Sequence, residues 1–300
     1  MFNKRIKGHS VAPSKRPDMV SEDELWEFLE SAPDESEGVI YIHVPFCDNI
    51  CSFCSMNRTK LEDELDDYTK FLLSEIEKYS ATNYLKSKKI GSVYFGGGTP
   101  TILKERHLEQ VIGTLKSRFN ILPECEFSLE STLHNLNLSK LRLLGELGVN
   151  RYSIGVQTFS EAGRKLLNRT HSSDGAIKHL STLREKFEGM LCVDIIYNYP
   201  NESVEEVVKD AKLVRELGID SASFYSLQFL EGSVLSKTIS EDYYDVDVDR
   251  ALHHTFLDEI LSKDDYEILE YTKVAKKGRD QYRYCLLYTS PSPRDGLLSR

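Results

Sequence analysis

The stretch Tyr41-Ile-His-Val-Pro-Phe-Cys47-Asp-Asn-Ile-Cys51-Ser-Phe-Cys54 decides the fold of this chain. It begins as a short apolar strand, which Pro45 interrupts, and it runs directly into three cysteines with the spacing C-x3-C-x2-C. Three thiolates on one tight loop can bind three irons of a cubane iron–sulfur cluster, one ligand fewer than the usual four. The fourth iron is then open to a ligand that is not protein.

Structural zinc and plain packing are the two alternative interpretations of these cysteines. Zinc would need a fourth ligand, which His43 could supply. However, strand alternation places Tyr41, His43 and Pro45 on the face opposite to Ile42 and Val44. Ordinary buried thiols would not need this spacing. Two of the other three cysteines, Cys125 and Cys192, have the pattern of such packing residues. The motif therefore favours a cluster.

Composition limits the class of protein. The chain has 300 residues, 40% of them hydrophobic and 29% charged, which is ordinary for a globular domain. Its net charge of −10 argues against an extended nucleic-acid surface. No stretch is apolar enough to predict a membrane span, and the basic N-terminus lacks the apolar segment of a secretory signal. Six cysteines, three of them in one motif, favour a reducing, cytoplasmic location over a disulfide framework.

From residue 39 onward, short apolar strands alternate with amphipathic helices, which predicts an α/β fold of parallel βα units. The predicted strands are Val39–Val44, Ser92–Phe95, Glu126–Glu130, Arg151–Gly155, Leu191–Ile196 and Ser221–Leu227. The predicted helices are Ser21–Ser31, Glu62–Ala81, Glu105–Arg118, Ser139–Leu147, Ser160–Arg184, Val204–Leu217 and Val248–Ser262. Six units are too few to close an eightfold barrel. In βα barrels the active site gathers at the C-terminal ends of the strands.

Polar and glycine-rich motifs follow several of these strands. Gly96-Gly-Gly-Thr-Pro100 follows the second strand, where glycines let the backbone approach a ligand closely. Glu130 ends the third strand, and a carboxylate there can accept hydrogen bonds from both hydroxyls of a ribose. Gln157 ends the fourth strand. Asp194 stands inside an apolar strand, where it needs a partner or a ligand.

Together these motifs resemble the radical SAM superfamily, in particular its group of oxygen-independent coproporphyrinogen III oxidases and haem chaperones. The segments that carry the resemblance are YIHVPFCDNICSFC, YFGGGTPT, FSLES, GVNRYSIGVQTF, LLNRTH and VDIIYNYP, and they extend over about residues 39–284. The resemblance implies an open (βα)6 partial TIM barrel. It also implies a 4Fe–4S cluster that splits S-adenosylmethionine (SAM) into methionine and a 5′-deoxyadenosyl radical.

The resemblance also assigns roles to individual residues, with no catalytic side chain beyond the cluster and SAM. The cluster ligands are Cys47, Cys51 and Cys54. Those implied to contact the first SAM are Tyr41, Gly97, Gly98, Thr99 and Glu130. Those implied to contact a second SAM are Phe53, Gln157, Arg169 and Asp194; Arg169 is expected in the helix after the fourth strand, where a guanidinium suits a two-point contact with a carboxylate.

The substrate implied is a tetrapyrrole, either coproporphyrinogen III or haem, with flavodoxin or ferredoxin as electron donor. The porphyrinogen oxidases carry a further cysteine where this chain has Met56, which puts that decarboxylation in doubt, and Asn198 replaces the group's usual glycine. The form GRDxYxY near residue 284 leans towards the anaerobic haem-degrading methyltransferases. A haem chaperone that binds cluster, SAM and haem without turnover is the third alternative.

Four segments are expected along the chain. Residues 1–38 form a polar lead-in, residues 39–230 the radical SAM core, and residues 231–284 the start of a C-terminal region whose larger part is missing. Residues 285–300, Cys285-Leu-Leu-Tyr-Thr-Ser-Pro-Ser-Pro onward, have neither helical nor strand periodicity and contain two prolines. They resemble translated adapter sequence and are excluded from the prediction of the fold.

Overall fold

The computed structural model describes residues 20–55, 59–60, 64–280 and 283–284. Met56 and the segment from Cys285 onward lie outside the described residues. The strands are β1 Gly38–Val44, β2 Phe46–Cys47, β3 Thr59–Lys60, β4 Lys89–Gly97, β5 Asn120–Thr132, β6 Arg151–Gln157, β7 Met190–Tyr197, β8 Ser221–Ser226, β9 Tyr266–Glu270 and β10 Lys273–Lys276. The helices are α1 Glu22–Leu29, α2 Leu65–Ser80, α3 Asn83–Ser87, α4 Glu105–Arg118, α5 Leu138–Glu146, α6 Glu161–Leu166, α7 Ser173–Lys186, α8 Val204–Glu216, α9 Leu235–Thr238 and α10 Val246–Ile260.

One large sheet organises these elements. Strands β1, β4, β5, β6, β7 and β8 lie side by side in chain order, and every neighbouring pair is parallel. The open α/β arrangement of six parallel strands that the sequence predicts is confirmed. Two further strands extend one edge, because β10 pairs antiparallel with β8 and β9 pairs antiparallel with β10. A separate short ladder joins β2 to β3.

Alternation along the strands separates two environments. Val93 and Phe95 of β4 are completely buried in the hydrophobic core between sheet and helices, together with Leu108 of α4. The intervening positions on the parallel strands are often polar and point to the concave face, since successive side chains of a strand face opposite sides. The concave face, called the lumen below, therefore holds hydroxyl, carboxylate and guanidinium groups.

The helix predicted over Ser160–Arg184 is wrong in one respect, because it is two helices, α6 and α7. Asn168 adopts a left-handed conformation with φ of 55°, which ends the first helix. The buried guanidinium of Arg164 then donates to the carbonyls of Val156, Thr158 and His171 across the break. Arg169 consequently lies between the two helices and not within one.

The N-terminal helix α1 is capped at its first turn. Helix α1 begins with a capping box, since Ser21 accepts from the Glu24 amide while the Glu24 carboxylate accepts from the Ser21 amide. Among the described residues, no helix is both long and apolar enough to cross a bilayer.

Residues 231–284 contribute α10, β9 and β10, and these pack on the same core as the parallel strands.

This packing makes a prediction about cooperativity. Phe256 of α10 is completely buried and stacks on Phe224 of β8 at a ring distance of 4.6 Å. Phe256→Ala should lower the free energy of unfolding of the whole chain by about 3–5 kcal/mol, because it removes an aromatic ring from a closed core. Urea unfolding followed by circular dichroism measures this.

The matched control is Val248→Ala on the same helix, where the side chain is half exposed. It should change the free energy of unfolding by about 0.5 kcal/mol or less. Equal effects of the two substitutions, or a separate early transition for the Phe256 variant, would contradict a shared core.

Candidate active site

The three motif cysteines follow β1, with Cys47 at the end of the short strand β2 and Cys51 and Cys54 on the loop beyond it, called the cysteine loop together with Cys47. Cys47 is buried, whereas Cys51 and Cys54 are half-buried, and all three thiols are free of disulfides. The amide of Cys54 donates to the carbonyl of Cys51 at 3.2 Å, which makes the C-x2-C end of the loop a tight turn. The loop therefore presents thiols at the C-terminal end of the parallel strands.

The loop after α6 and the segment before α9 hold this cysteine loop in place. The Ser52 hydroxyl donates to the Leu166 carbonyl at 2.7 Å, and the Ser52 carbonyl accepts from the amide of Leu235 at 2.8 Å. The Asn168 side chain donates to the Ile50 carbonyl at 2.7 Å. Phe53 packs on a second, smaller apolar cluster that these segments share. The left-handed break at Asn168 thus places a side chain that holds the cysteine loop by a hydrogen bond.

The glycine-rich loop after β4 lies directly on the cysteine loop. The amide of Gly98 donates to the Val44 carbonyl at 2.7 Å, and the amide of Thr99 donates to the Phe46 carbonyl at 2.8 Å. A Cβ atom on Gly98 would lie 2.5 Å from the Phe46 carbonyl oxygen and 3.0 Å from the Cys47 sulfur. Only glycine fits at this position, since real Cβ atoms essentially never approach another atom so closely.

Two further contacts complete the join between these loops. The Thr99 hydroxyl lies 3.5 Å from the Cys47 sulfur. Gly97 adopts φ of 112°, which side chains other than glycine rarely tolerate. Tyr41 lies behind the loop, with its hydroxyl 3.1 Å from the His43 ring nitrogen Nδ1 and its ring stacked on Tyr94 at 6.1 Å.

Glu130 binds the same glycine loop from the neighbouring strand. Its Oε2 accepts from the amide of Gly97 at 3.1 Å, and its Oε1 accepts from the Tyr94 hydroxyl at 2.8 Å. Burial raises the pKa of the Glu130 carboxyl to about 7, and the nearby Asp194 carboxylate adds to this, whereas the two hydrogen bonds oppose it. The carboxyl group is therefore poised to change its charge near neutral pH.

Arg169 connects the break after α6 to the cysteine loop. Its Nη1 lies 2.8 Å from the Cys51 sulfur, and its Nη2 donates to the carbonyl of Gly155 on β6. Its Nε atom is buried and has no hydrogen-bond partner. Gln157 lies close by at the end of β6, with a left-handed φ of 74°, and its amide would meet any Cβ placed on Gly155 at 2.9 Å.

Asp194 lies in the lumen on β7, where it accepts from the Ser153 hydroxyl at 3.4 Å. Burial raises the pKa of its carboxyl, while Lys273, Arg151 and the Ser153 hydrogen bond oppose the rise. Its cationic neighbours are held in turn by Asp280, whose Oδ2 lies 3.2 Å from Arg151 and 3.5 Å from Lys273.

The residues present fit a cluster with SAM better than they fit a single metal ion. Among the described residues, no group of three or more His, Cys, Asp or Glu side chains is arranged to hold one ion. A cubane cluster does not need such a group, because its three thiolates bind three different irons. The glycine cradle against Cys47, the buried Nε of Arg169 without a hydrogen-bond partner and three cysteines outside any disulfide suit that cofactor pair.

Sequence reasoning missed four lumen residues: Tyr94, Arg151, Lys273 and Asp280. Tyr94 and Arg151 stand in strand segments whose alternate positions are apolar, so a search for polar residues on that alternation could have found them. Lys273 comes from the antiparallel strand β10 and Asp280 from the turn beyond it. No local pattern indicates that these two reach the barrel.

Comparisons with known proteins identify the family of this chain. The profile of the Radical SAM superfamily matches residues 41–214. Anaerobilin synthase of Escherichia coli O157:H7 is 29% identical over 71% of this chain and 48% of its own length. The haem chaperone HemW of Lactococcus lactis is 29% identical over 62% of this chain and 48% of its own length.

The fold has a close counterpart among solved structures. Coproporphyrinogen III oxidase (HemN) from Escherichia coli, a radical SAM enzyme, superposes with a TM-score of 0.76 at 23% identity, over 87% of this chain and 60% of its own. The chain spans about half the length of the curated relatives it matches. Members of the matched family use a 4Fe–4S cluster and SAM. Because the profile covers more than half of the 300 residues, the protein belongs to the radical SAM superfamily.

Proposed function

We propose that this protein is a radical SAM enzyme that acts on a tetrapyrrole. The observation that carries the proposal is the contact between the glycine loop and the cysteine loop. Gly98 lies so close to the Phe46 carbonyl and the Cys47 sulfur that no Cβ atom fits between them. This contact sets a thiol beside a glycine-rich backbone, and Glu130 holds that backbone from the other side. A cluster ligand and a nucleoside cradle are thereby placed next to each other.

Cys47, Cys51 and Cys54 would hold the cluster. When bound, the reduced cluster supplies the electron that breaks a carbon–sulfur bond of SAM. The backbone of Gly97 and Gly98 would hold the methionine end of SAM, since no Cβ blocks a close approach there. Thr99 and Tyr41 line the same loop. The Glu130 carboxylate would accept the ribose hydroxyls, which is a role for its ionised form.

Arg169 would hold a carboxylate of SAM beside the cluster. Its guanidinium already lies against the Cys51 sulfur, and its free Nε points to an additional acceptor. Phe53, Gln157 and Asp194 complete the set proposed for a second SAM molecule. A carboxylate deep in the lumen suits the positive sulfonium of SAM, since charged groups attract more strongly where water is scarce.

The tetrapyrrole is proposed from the motifs of this chain and from its relatives, which include an anaerobilin synthase and a haem chaperone. Oxidation of coproporphyrinogen III, with an electron donor such as flavodoxin or ferredoxin, is the first hypothesis. Anaerobic opening of haem is the second candidate, favoured by the match to anaerobilin synthase over 71% of the chain. Haem delivery without turnover is the third, suggested by the match to the chaperone HemW.

The contact between the glycine loop and the cysteine loop predicts that a side chain at Gly98 impairs binding of the cluster. Gly98→Ala should reduce iron after anaerobic reconstitution from about four per chain to about one or fewer, because the new methyl group displaces Cys47. Iron assay and visible absorption measure this, and Cys51→Ala should show the same loss.

The control is Gly113→Ala on the outer face of α4, where a Cβ meets nothing within 4 Å. That variant should keep its full iron content and gain about 0.5–1 kcal/mol of stability. Zinc in place of iron in the unmodified protein, or full iron in the Gly98 variant, would contradict the site.

Glu130 predicts a pH dependence of SAM binding. Because its carboxyl has a pKa of about 7 and only the ionised form accepts two ribose hydroxyls, SAM should bind more tightly as the pH rises from 6 to 8. Below the pKa, the dissociation constant should rise by about tenfold per pH unit. Calorimetric titration of the anaerobic protein measures the effect, and Glu130→Gln should bind weakly with a flat profile.

The stability of the Glu130→Gln variant distinguishes the loss of a contact with SAM from a general loss of the fold. A carboxyl whose pKa is raised on folding is ionised first in the unfolded chain, so it lowers the stability as the pH rises from about 4.5 through about 7. Glu130→Gln should therefore be at least as stable as the unmodified protein at pH 8. A variant that melts earlier at pH 8 would point to a structural role instead.

The substrate is tested by turnover. With the reduced protein extended by a C-terminal region of the length found in its relatives, a tetrapyrrole should speed the release of 5′-deoxyadenosine. Coproporphyrinogen III and haem are compared side by side by mass spectrometry. Two new vinyl groups indicate the oxidase, and a methylated, ring-opened product indicates haem opening. Tight haem binding with no product and no faster cleavage of SAM would contradict an enzyme and favour the chaperone.

A further inference from the structure

The turn after β10 crosses the N-terminal end of the barrel, opposite the cysteine loop. We call its described residues Arg279, Asp280, Arg283 and Tyr284 the closing segment. Its polar contacts are Arg279 Nε to Asp220 Oδ1 at 3.1 Å, Asp280 Oδ2 to Arg151 Nη2 at 3.2 Å, Arg283 Nη1 to the Glu124 carbonyl at 2.7 Å and Arg283 Nη2 to Glu37 Oε2 at 2.6 Å. The partners lie at or just before the starts of β1, β6 and β8 and in the first half of β5. The segment thus ties together strands from both sides of the open barrel.

Tyr284 carries this segment into the lumen. Its ring stacks on Tyr94 at 4.2 Å with the planes 27° apart, and it lies 6.4 Å from the ring of Tyr41. The amides of Arg283 and Tyr284 both reach the carboxylate of Glu126 at 3.3 Å, which fixes the backbone on which the ring stands. Tyr284 is therefore anchored through its backbone to Glu126, and its ring is in contact with the ring of Tyr94.

Tyr94 transmits this contact to the glycine loop. Its hydroxyl donates to Glu130 at 2.8 Å, and Glu130 in turn accepts from the amide of Gly97 at 3.1 Å. Stacked aromatic pairs hold each other's rings in defined positions. Three successive contacts hence connect the closing segment to the loop proposed for SAM.

Shielding from water is the second consequence of the stacked rings. The titratable and charged groups that face Glu130 are Tyr94 on β4, Arg151 on β6 and Asp194 on β7. Of these, Arg151 is held by the closing segment itself through Asp280. Removing the Tyr284 ring would open a path for water to the lumen beneath Glu130 and would reduce the desolvation of its carboxyl.

We propose that Tyr284 is a positioning residue of the SAM site, which acts through Tyr94 to fix the Glu130 carboxylate against the glycine loop. This inference rests on the proposed function, because it assumes that Glu130 contacts SAM. It adds that the affinity for SAM is set partly by a segment at the opposite end of the barrel. Tyr284 itself does not touch the cofactor.

The experiment compares Tyr284→Ala and Tyr284→Phe in the full chain. The dissociation constant for SAM is measured by calorimetric titration between pH 6 and 8, and iron is assayed in the same samples. At pH 8, where Glu130 is ionised, Tyr284→Ala should weaken binding about tenfold, because the Tyr94 ring no longer holds the carboxylate in position. The midpoint of the pH profile should move down by about one unit, because water reaches Glu130. Tyr284→Phe keeps the stacked ring and should stay within about twofold of the unmodified protein. Iron should remain at about four per chain in both variants.

A double variant tests the route through Tyr94. The Tyr94→Phe variant lacks the hydroxyl that donates to Glu130. In that variant, Tyr284→Ala should raise the dissociation constant for SAM by less than about a further twofold. Full additivity of the two losses would overturn the route. If Tyr284→Ala does not fold, Tyr284→Leu retains apolar volume without a stacking ring and carries the same expectation.

The outcomes distinguish this inference from the proposed function. Unmodified protein that holds the cluster and binds SAM, together with an alanine variant of unchanged affinity and unchanged pH midpoint, overturns the inference alone. Unmodified protein that neither holds iron nor binds SAM overturns both. A uniform loss of affinity with no movement of the pH midpoint shows a merely structural effect and also overturns the inference.

Discussion

The hydrogen-bond register between β1 and β4 is the constraint on which the rest of the site depends. The ladder does not stop where the strands stop, because the amides of Gly98 and Thr99 continue it to the carbonyls of Val44 and Phe46. A parallel pair brings both C-terminal ends to the same edge, so one register places the cysteine loop and the glycine loop together. A shift by one residue would move Gly98 off Cys47, and no side-chain rearrangement could restore the fit.

Charge in the lumen illustrates a conflict between stability and function. Glu130 and Asp194 both have raised pKa values because they are withdrawn from water, which costs stability at neutral pH. Arg151 and Lys273 offset part of this cost, and Asp280 balances their positive charge in turn. Such an arrangement is typical of binding sites, where polar groups are held ready for a ligand that completes them. A fold built for stability alone would fill this space with apolar side chains.

The sequence predicted the ends of the six parallel strands to within three residues, because their apolar runs are short. The exception is the start of β5, which begins at Asn120 and not at Glu126. The prediction failed at Asn168, since the periodic apolar positions on either side conceal a break that only the left-handed backbone and the buried Arg164 reveal. It also failed to place Lys273 and Asp280 in the lumen. Their neighbours there are distant in the chain, and no local propensity records such a contact. The roles assigned to individual SAM contacts stay predictions.

The span of the closing segment has a consequence for how the protein is made. Arg283 and Glu37 are separated by 246 positions, so their ion pair cannot form until nearly all of the described chain has left the ribosome. The cysteine loop, by contrast, is synthesised within the first fifth of the chain. The ion pair that ties the closing segment to the start of β1 is therefore completed late in biosynthesis, well after the cysteines proposed to bind the cluster have been synthesised.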